Sequence, residues 1–314
     1  MNKADQETTS CQSIIIMEYL TKKTQMEVQS LLQQCQQYEQ VECKLELDYK
    51  LASAQLCKNH THTITEVNEF LYYQDQVLIG YIGICGFAGT DGPLEMTGMV
   101  HPNYRRKGIF RRLSSLAFDE CKRRGTLKTY LLCDRKSESG QAFITSLEAA
   151  YEYSEYEMYL NPDADLSGRV MGAIHFEKAT NADAKEIARQ NSIYFNEPLE
   201  DVLDTSDELM NVLLPEEEEK KGMTIYLAYL EEKCIGKVHL QCINGLGGIY
   251  GLGVIPEERG KGYGRAILCN AVTLLKEQGA SQIMLQVAAE NDKALGLYQS
   301  CGFNKTSIMD YYVN

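Results

Sequence analysis

Residues 254–268, VIPEERGKGYGRAIL, put three glycines and three basic side chains between an apolar run and a segment with helical spacing. A helix start leaves backbone N–H groups unpaired and carries a partial positive charge. Glycine lets a backbone approach a ligand closely and adopt φ > 0. Arg259 and Lys261 add full charges. Strand, glycine-rich turn and helix together read as a cradle for an anion, phosphate above all. Two nucleotide motifs fail on spacing. A P-loop requires Gly-Lys-Ser/Thr, whereas Lys261 is followed by Gly262 and Tyr263. A dinucleotide fingerprint requires GxGxxG early in its domain, whereas Gly260, Gly262 and Gly264 give GxGxG late in theirs.

The stretch has a cousin at 100–113, VHPNYRRKGIFRRL. A shift of 154 positions lays Val100 on Val254, Pro102 on Pro256, Arg105 on Arg259, Lys107 on Lys261 and Gly108 on Gly262. Further on, Lys122 meets Lys276 and Gly125 meets Gly279. One offset and one order predict a duplicated domain, since solenoid repeats are much shorter. We place the first copy at 1–160, a linker at 161–172, where Pro, Asp, Ser and Gly gather, and the second copy at 173–314.

Patterning outward from the loop supports this. In the second copy AIHFEKAT reads as a strand and TNADAKEIARQ as a capped helix; TIYLAYLEEKCIGKVHLQCI reads as two strands around a Glu-Glu-Lys turn. GGIYGLGV is the strand before the loop. GRAILCNAVTLLKEQG is an amphipathic helix with Ile267, Ala271, Leu274 and Leu275 on one face and Gly279 as its stop. SQIMLQVA, NDKALGLYQSCG and FNKTSIMDYYV follow as strand, short helix and strand. The first copy runs to the same plan, with LELDYKLASAQL ambiguous between helix and strand. PEEEEKK at 215–221 is expected to be an exposed loop.

Composition excludes several classes. The 314 residues are 44% apolar and 24% charged, as in ordinary globular chains. A net charge of −13 argues against nonspecific nucleic-acid binding and favours cationic ligands at long range. Eleven cysteines, without a CxxC, fit neither a zinc site nor a disulfide framework, and are expected as reduced thiols in a cytoplasmic protein. The close pair His60 and His62 is expected in a solvated loop. MNKADQETTS, without an apolar core, is not expected to be a signal peptide, and VLIGYIGICGFAG at 77–89 is too short to span a bilayer. No metal, nucleic acid or membrane is expected as a partner.

The residues RGKGYG at 259–264 match RxxGxG behind LGVIP, and NDKALGLYQSCGF follows in order at 291–303. Together they resemble the pyrophosphate loop and the second acyl-CoA motif of the GNAT acyltransferase superfamily, and FEKATNADAKEIA resembles its first strand and helix. The resemblance covers 173–314, and the tandem layout, though no substrate, is similar to that of mycothiol synthases. It implies two α/β domains, each a mixed, largely antiparallel sheet flanked by helices. It also implies acyl transfer from acetyl-CoA to a small-molecule or peptide amine by direct attack, without a metal. The backbone of Arg259, Gly260, Lys261, Gly262, Tyr263, Gly264 and Arg265 would bind the pyrophosphate. The edge at Leu252, Gly253 and Val254 would meet the pantetheine arm and the thioester oxygen. Tyr298 matches the family's general acid and Asn291 a frequent cofactor contact, though a helix N-cap explains Asn291 equally well.

The strand before the loop lacks the carboxylate that many relatives use as base. Glu290, Glu197 and Tyr250 are the candidates instead. Glu197, Glu200, Asp201, Asp204, Asp207 and Glu208 could draw in a cationic amine or form a solvated face. In the first copy Phe110 replaces Gly264, and aligning Tyr151 with Phe303 sets Ser146 opposite Tyr298, so the general acid is expected to be missing there. Basic residues stay dense at Arg105, Arg106, Lys107, Arg111 and Arg112. The active site is therefore expected in the second copy. The alternatives are a non-catalytic CoA-binding sensor or scaffold and, further off, a nucleotide-dependent oxidoreductase.

Overall fold

A computed structural model of the protein describes residues 11–56, 65–86, 93–164, 166, 174–195 and 214–314. Along the chain the elements run β1 (Gln12–Met17), α1 (Lys22–Glu39), α2 (Leu47–Leu56), β2 (Glu69–Gln74), β3 (Val77–Gly86), β4 (Leu94–Val100), α3 (Ile109–Arg123), β5 (Thr129–Asp134), α4 (Glu138–Ser146) and β6 (Ala150–Leu160). The same plan then recurs as β7 (Ile174–Lys178), α5 (Ala184–Phe195), α6 (Pro215–Lys220), β8 (Met223–Leu230), β9 (Lys233–Ile243), β10 (Leu246–Val254), α7 (Tyr263–Glu277), β11 (Gln282–Ala288), α8 (Asp292–Ser300) and β12 (Phe303–Val313). The expected α/β class with mixed, largely antiparallel sheets holds. The helix–strand ambiguity of the first copy resolves to the helix α2.

Two compact units form, Met1–Tyr153 with Met309–Asn314, and Ser154–Ile308. In the first unit β1 to β5 lie side by side, antiparallel but for the parallel pair β4–β5. In the second the order is β6-β11-β10-β9-β8-β7, antiparallel throughout the described residues but for the parallel pair β10–β11. These boundaries differ from a seam at 161–172. β6 is one unbroken strand whose later residues pair with β11, Tyr156 opposite Val287 and Met158 opposite Leu285, inside the second unit. The end of β12 pairs with β5, Tyr311 opposite Leu132, inside the first. Backbone pairing, which leaves no mark in composition, decides where the chain changes unit.

Each helix is built as its pattern requires. In α7, Ile267, Ala271 and Leu275 are fully buried, while Leu274 packs at the margin. The core of the second unit gathers that face with Val238, Leu240 and Ile249 of the sheet. Residues 215–220 form the helix α6 rather than a loop: Pro215 stands at its first turn with Glu216, Glu217 and Glu218 behind it. Proline suits a first helical turn, and glutamates there complement the helix dipole. Among the described residues no helix is long and apolar enough to cross a membrane.

In the first unit α3 is locked at its end by Glu120, which is nearly buried. Arg123 Nε and Nη2 donate to its carboxylate at 2.7 Å, Arg124 Nε at 2.8 Å and the Val67 N–H at 2.9 Å. The Arg123 hydrogen bonds lead in pulling the carboxyl from its ordinary 4.5 down to about 2. A depressed carboxyl stabilises the fold fully above its unfolded pKa and loses that contribution as pH falls toward its folded one. The urea midpoint is therefore expected to drop between pH 5 and pH 2.5. Glu120→Gln should lower the midpoint at pH 5 and shrink the drop.

Candidate functional site

In the second unit β10 and β11 pair for only four residues each, Leu246–Ile249 against Gln282–Leu285. Both strands continue, to Val254 and to Ala288, without pairing with each other. β10 stays on β9 but carries a register shift between Tyr250 and Gly253, with Gly251 at φ +54°. A bulge bends and twists its strand. Leu252, Gly253 and Val254 therefore border an opening whose strand edge is not used by the sheet.

The loop begins where β10 ends. A single turn of 3-10 helix, Pro256–Glu258, leads into Arg259, whose Nε donates to the Val254 carbonyl at 2.8 Å and ties the loop to the strand. Gly260 and Gly262 sit at φ +76° and +87°. A Cβ on Gly260 would meet nothing within 4 Å, so glycine is required there by conformation and not by space. α7 starts at Tyr263 with no side-chain cap, leaving its first N–H groups pointing out of the helix. Of the remaining cations, Lys261 pairs with Glu258 at 2.9 Å and Arg265 Nη2 donates to Ser300 Oγ at 2.8 Å.

The other expected residues fall as follows. Tyr298 is the one buried residue of α8, edge-on to Phe303, and burial pushes its phenol up to about 12. Asn291 caps α8, its side chain accepting from the Ala294 N–H at 3.1 Å, as the capping reading expects. Glu290 is exposed just past the end of β11. The Tyr250 hydroxyl lies 3.9 Å from Met284 Sδ and its ring covers Gly248, on the paired side of the opening. Glu197 and the acids at 200–208, like His60 and His62, lie outside the described residues.

Three residues that the sequence did not single out stand beside the bulge. Lys237 of β9 is fully buried, with its Nζ 3.1 Å from His239 Nε2. The His239 ring lies against Gly251; burial, then Lys237, drives its pKa well below the usual histidine range, so it is neutral near pH 7. Tyr194 of α5 lies against Gly253, where a Cβ would clash with its ring at 2.1 Å from Cε2. A lysine and a histidine two apart in the apolar run IGKVHL share one face of a strand, and that alternation was the available signal.

The first unit repeats the loop. Its 3-10 turn is Pro102–Tyr104, Arg105 Nε donates to the Val100 carbonyl at 3.0 Å, and Gly108 has φ +78°. Arg106 takes the place of Gly260 and holds φ +62°. β4 and β5 also part early, pairing only over Leu94–Met96. Two details correct the sequence alignment. α4 and α8 keep the 154-residue offset throughout, so Ile144, and not Ser146, stands opposite Tyr298. Ser146 instead matches Ser300, each donating its Oγ to the carbonyl three residues back at 2.7 Å. Phe110 does not crowd the loop; its ring turns into the gap between β4 and β5, edge-on to Phe143 at 4.7 Å. Val41, Glu42 and Cys43 line the same gap, and the Glu42 N–H donates to Asp134 at 2.8 Å.

The sequence model described as "Acetyltransferase (GNAT) family" matches residues 27–147 and again 185–303. A mycothiol acetyltransferase of Gordonia bronchialis is 26% identical over 237 residues, 73% of this chain and 76% of that protein. One from Kocuria rhizophila is 42% identical over 60 residues, 19% of this chain and 20% of the relative, so there the chain spans only a fifth of the relative's length. A tandem GNAT protein from the clavulanic acid biosynthesis pathway superposes with a TM-score of 0.69 at 13% identity, over 96% of this chain and 98% of that one, a likeness of fold.

The contrast between Gly260 and Arg106 yields a stability expectation. Gly260→Ala should cost about 1 kcal/mol by forcing a side chain into the left-handed region. Arg106→Gly, relieved of that strain but freer when unfolded, should change stability by under about 0.5 kcal/mol. Urea unfolding of both variants checks the asymmetry.

Proposed function

The chain belongs to the GNAT acetyltransferase family, and from that premise we propose that it is an acetyl-CoA-dependent N-acetyltransferase acting on a small-molecule or peptide amine, with its active site in the second unit. The observation that carries this is the pairing of an unused strand edge at Leu252–Val254 with an uncapped helix start at Tyr263, joined by a left-handed glycine turn. A diphosphate suits the outward N–H groups of the loop and the positive end of α7. An extended pantetheine arm suits the edge of β10, where it can add to the sheet as a strand would.

The chemistry follows from that seating. An unprotonated amine nitrogen attacks the thioester carbonyl carbon, and the C–N bond forms as charge gathers on the oxygen. A β10 N–H at the bulge stabilises that oxygen. The C–S bond then breaks. Tyr298, kept protonated by its buried setting, gives its proton to the departing sulfur. It regains one from the nitrogen of the new amide, so that amine and thioester become amide and thiol. An acceptor arriving as an ammonium first sheds its extra proton through water, toward exposed Glu290.

The first unit lacks the buried phenol, and the gap between its β4 and β5 is lined by an aromatic ring. Ile144 stands in place of Tyr298, and the Phe110 ring faces that gap where the second unit has Gly264. We assign it no chemistry.

Calorimetry is expected to find acetyl-CoA bound by the intact protein. Gly264→Phe, which copies the first unit, should weaken that binding at least about tenfold, or about 1.4 kcal/mol. Tyr298→Phe should bind acetyl-CoA as the wild type does and lose about 100-fold in kcat, followed by thiol release across an amine panel. No acetyl-CoA binding by the wild type would overturn the proposal.

A further inference from the structure

The bulged end of β10 is walled on one face by two rings. His239 covers Gly251 and Tyr194 covers Gly253. Tyr194 is held from several sides. Its hydroxyl donates to Gln190 Oε1 at 2.9 Å, and Gln190 is itself fully buried and tied through its amide to Glu186 at 2.8 Å. Lys237 Nζ lies 5.8 Å and the Arg259 guanidinium 5.9 Å from the ring centroid, both within cation–π reach. Gly253 has no side chain to push it off. Such a ring is a fixed wall, because a rotation would break the hydroxyl bond and both cation contacts together.

The wall stands where the donor's acyl group would lie. With a thioester oxygen on a β10 N–H between Leu252 and Val254, the acyl carbon projects from that strand edge, and the Tyr194 ring blocks one face there. The same ring is bound through Arg259 to the loop, since that guanidinium also ties the loop to the Val254 carbonyl. One residue thus relates the diphosphate cradle to the acyl end.

We propose that Tyr194 sets the length of the acyl group the second unit accepts, admitting a short acyl-CoA and rejecting longer ones. This inference rests on the acyl-CoA reading above. Lengthening the chain presses methylenes against a ring that cannot yield, and removing the ring opens the space.

The test is calorimetric titration of the full-length protein with CoA, acetyl-CoA, butyryl-CoA and hexanoyl-CoA, so no acceptor need be known. Wild type is expected to bind acetyl-CoA at least about tenfold more tightly than hexanoyl-CoA. Tyr194→Ala should bind hexanoyl-CoA as tightly as acetyl-CoA, and should still bind CoA itself. Tyr194→Leu, which keeps apolar bulk for folding, should shift the preference in the same direction by less, and Tyr194→Phe should keep the wild-type order. The inference is overturned if wild type binds the whole series equally. It is equally overturned if both smaller variants keep the wild-type order with CoA affinity intact. In either case CoA binding would leave the acyl-CoA reading standing. Failure of wild type to bind CoA or any acyl-CoA overturns both.

Discussion

Two parallel strands that stop pairing after four residues govern the rest of the second unit. A sheet normally consumes the hydrogen-bonding groups of its interior strands. Here the bulge after Tyr250 turns β10 away from β11, and the backbone of 252–254 keeps an edge in the middle of a sheet. The loop that follows must reverse within a few residues to reach α7, which forces Gly260 and Gly262 into left-handed conformations. That reversal also leaves the helix start bare. The strand edge and the uncapped helix are thus two results of one backbone path.

The duplication shows what that path needs. Both units tie the loop back to its strand through an arginine Nε, and both start the helix after a left-handed glycine. The first unit pays strain at Arg106 for the same shape, so the loop conformation is a property of the fold. The two diverge in what fills the gap. Phe110 and Val41 line it in the first unit, while Gly264 brings no side chain toward it in the second. They diverge again at the helix beyond, where Ile144 is buried in one and Tyr298 in the other. Phe110 and Ile144 are both apolar side chains, and neither can exchange a proton.

Much of this was legible in the sequence. The 154-residue offset, the glycine turn, the amphipathic face of α7 and the stop at Gly279 are local signals, and local backbone chemistry produced them. The misreadings were nonlocal. That β6 and β12 each serve two units depends on strand pairing across many residues, which composition does not encode. The match of Ser146 to Tyr298 failed because an alignment anchored on Tyr151 and Phe303 moved a two-residue difference in the following turn into the helix. Tyr194 of α5 and the β9 pair Lys237 and His239 come from two elements, and only packing onto Gly251 and Gly253 brings them together. The glutamates of α6 read as a solvated run because charge dominated the pattern, although Pro215 already offered a helix start.

The central claim is that the parted end of β10 and the start of α7 receive one acyl-CoA molecule. Amide hydrogen exchange on the intact protein, with and without saturating acetyl-CoA, addresses it residue by residue. The account predicts new protection at 252–254 and 262–265, with 98–100 and 108–111 unchanged. Protection confined to the first unit's loop, or none at either, would contradict it.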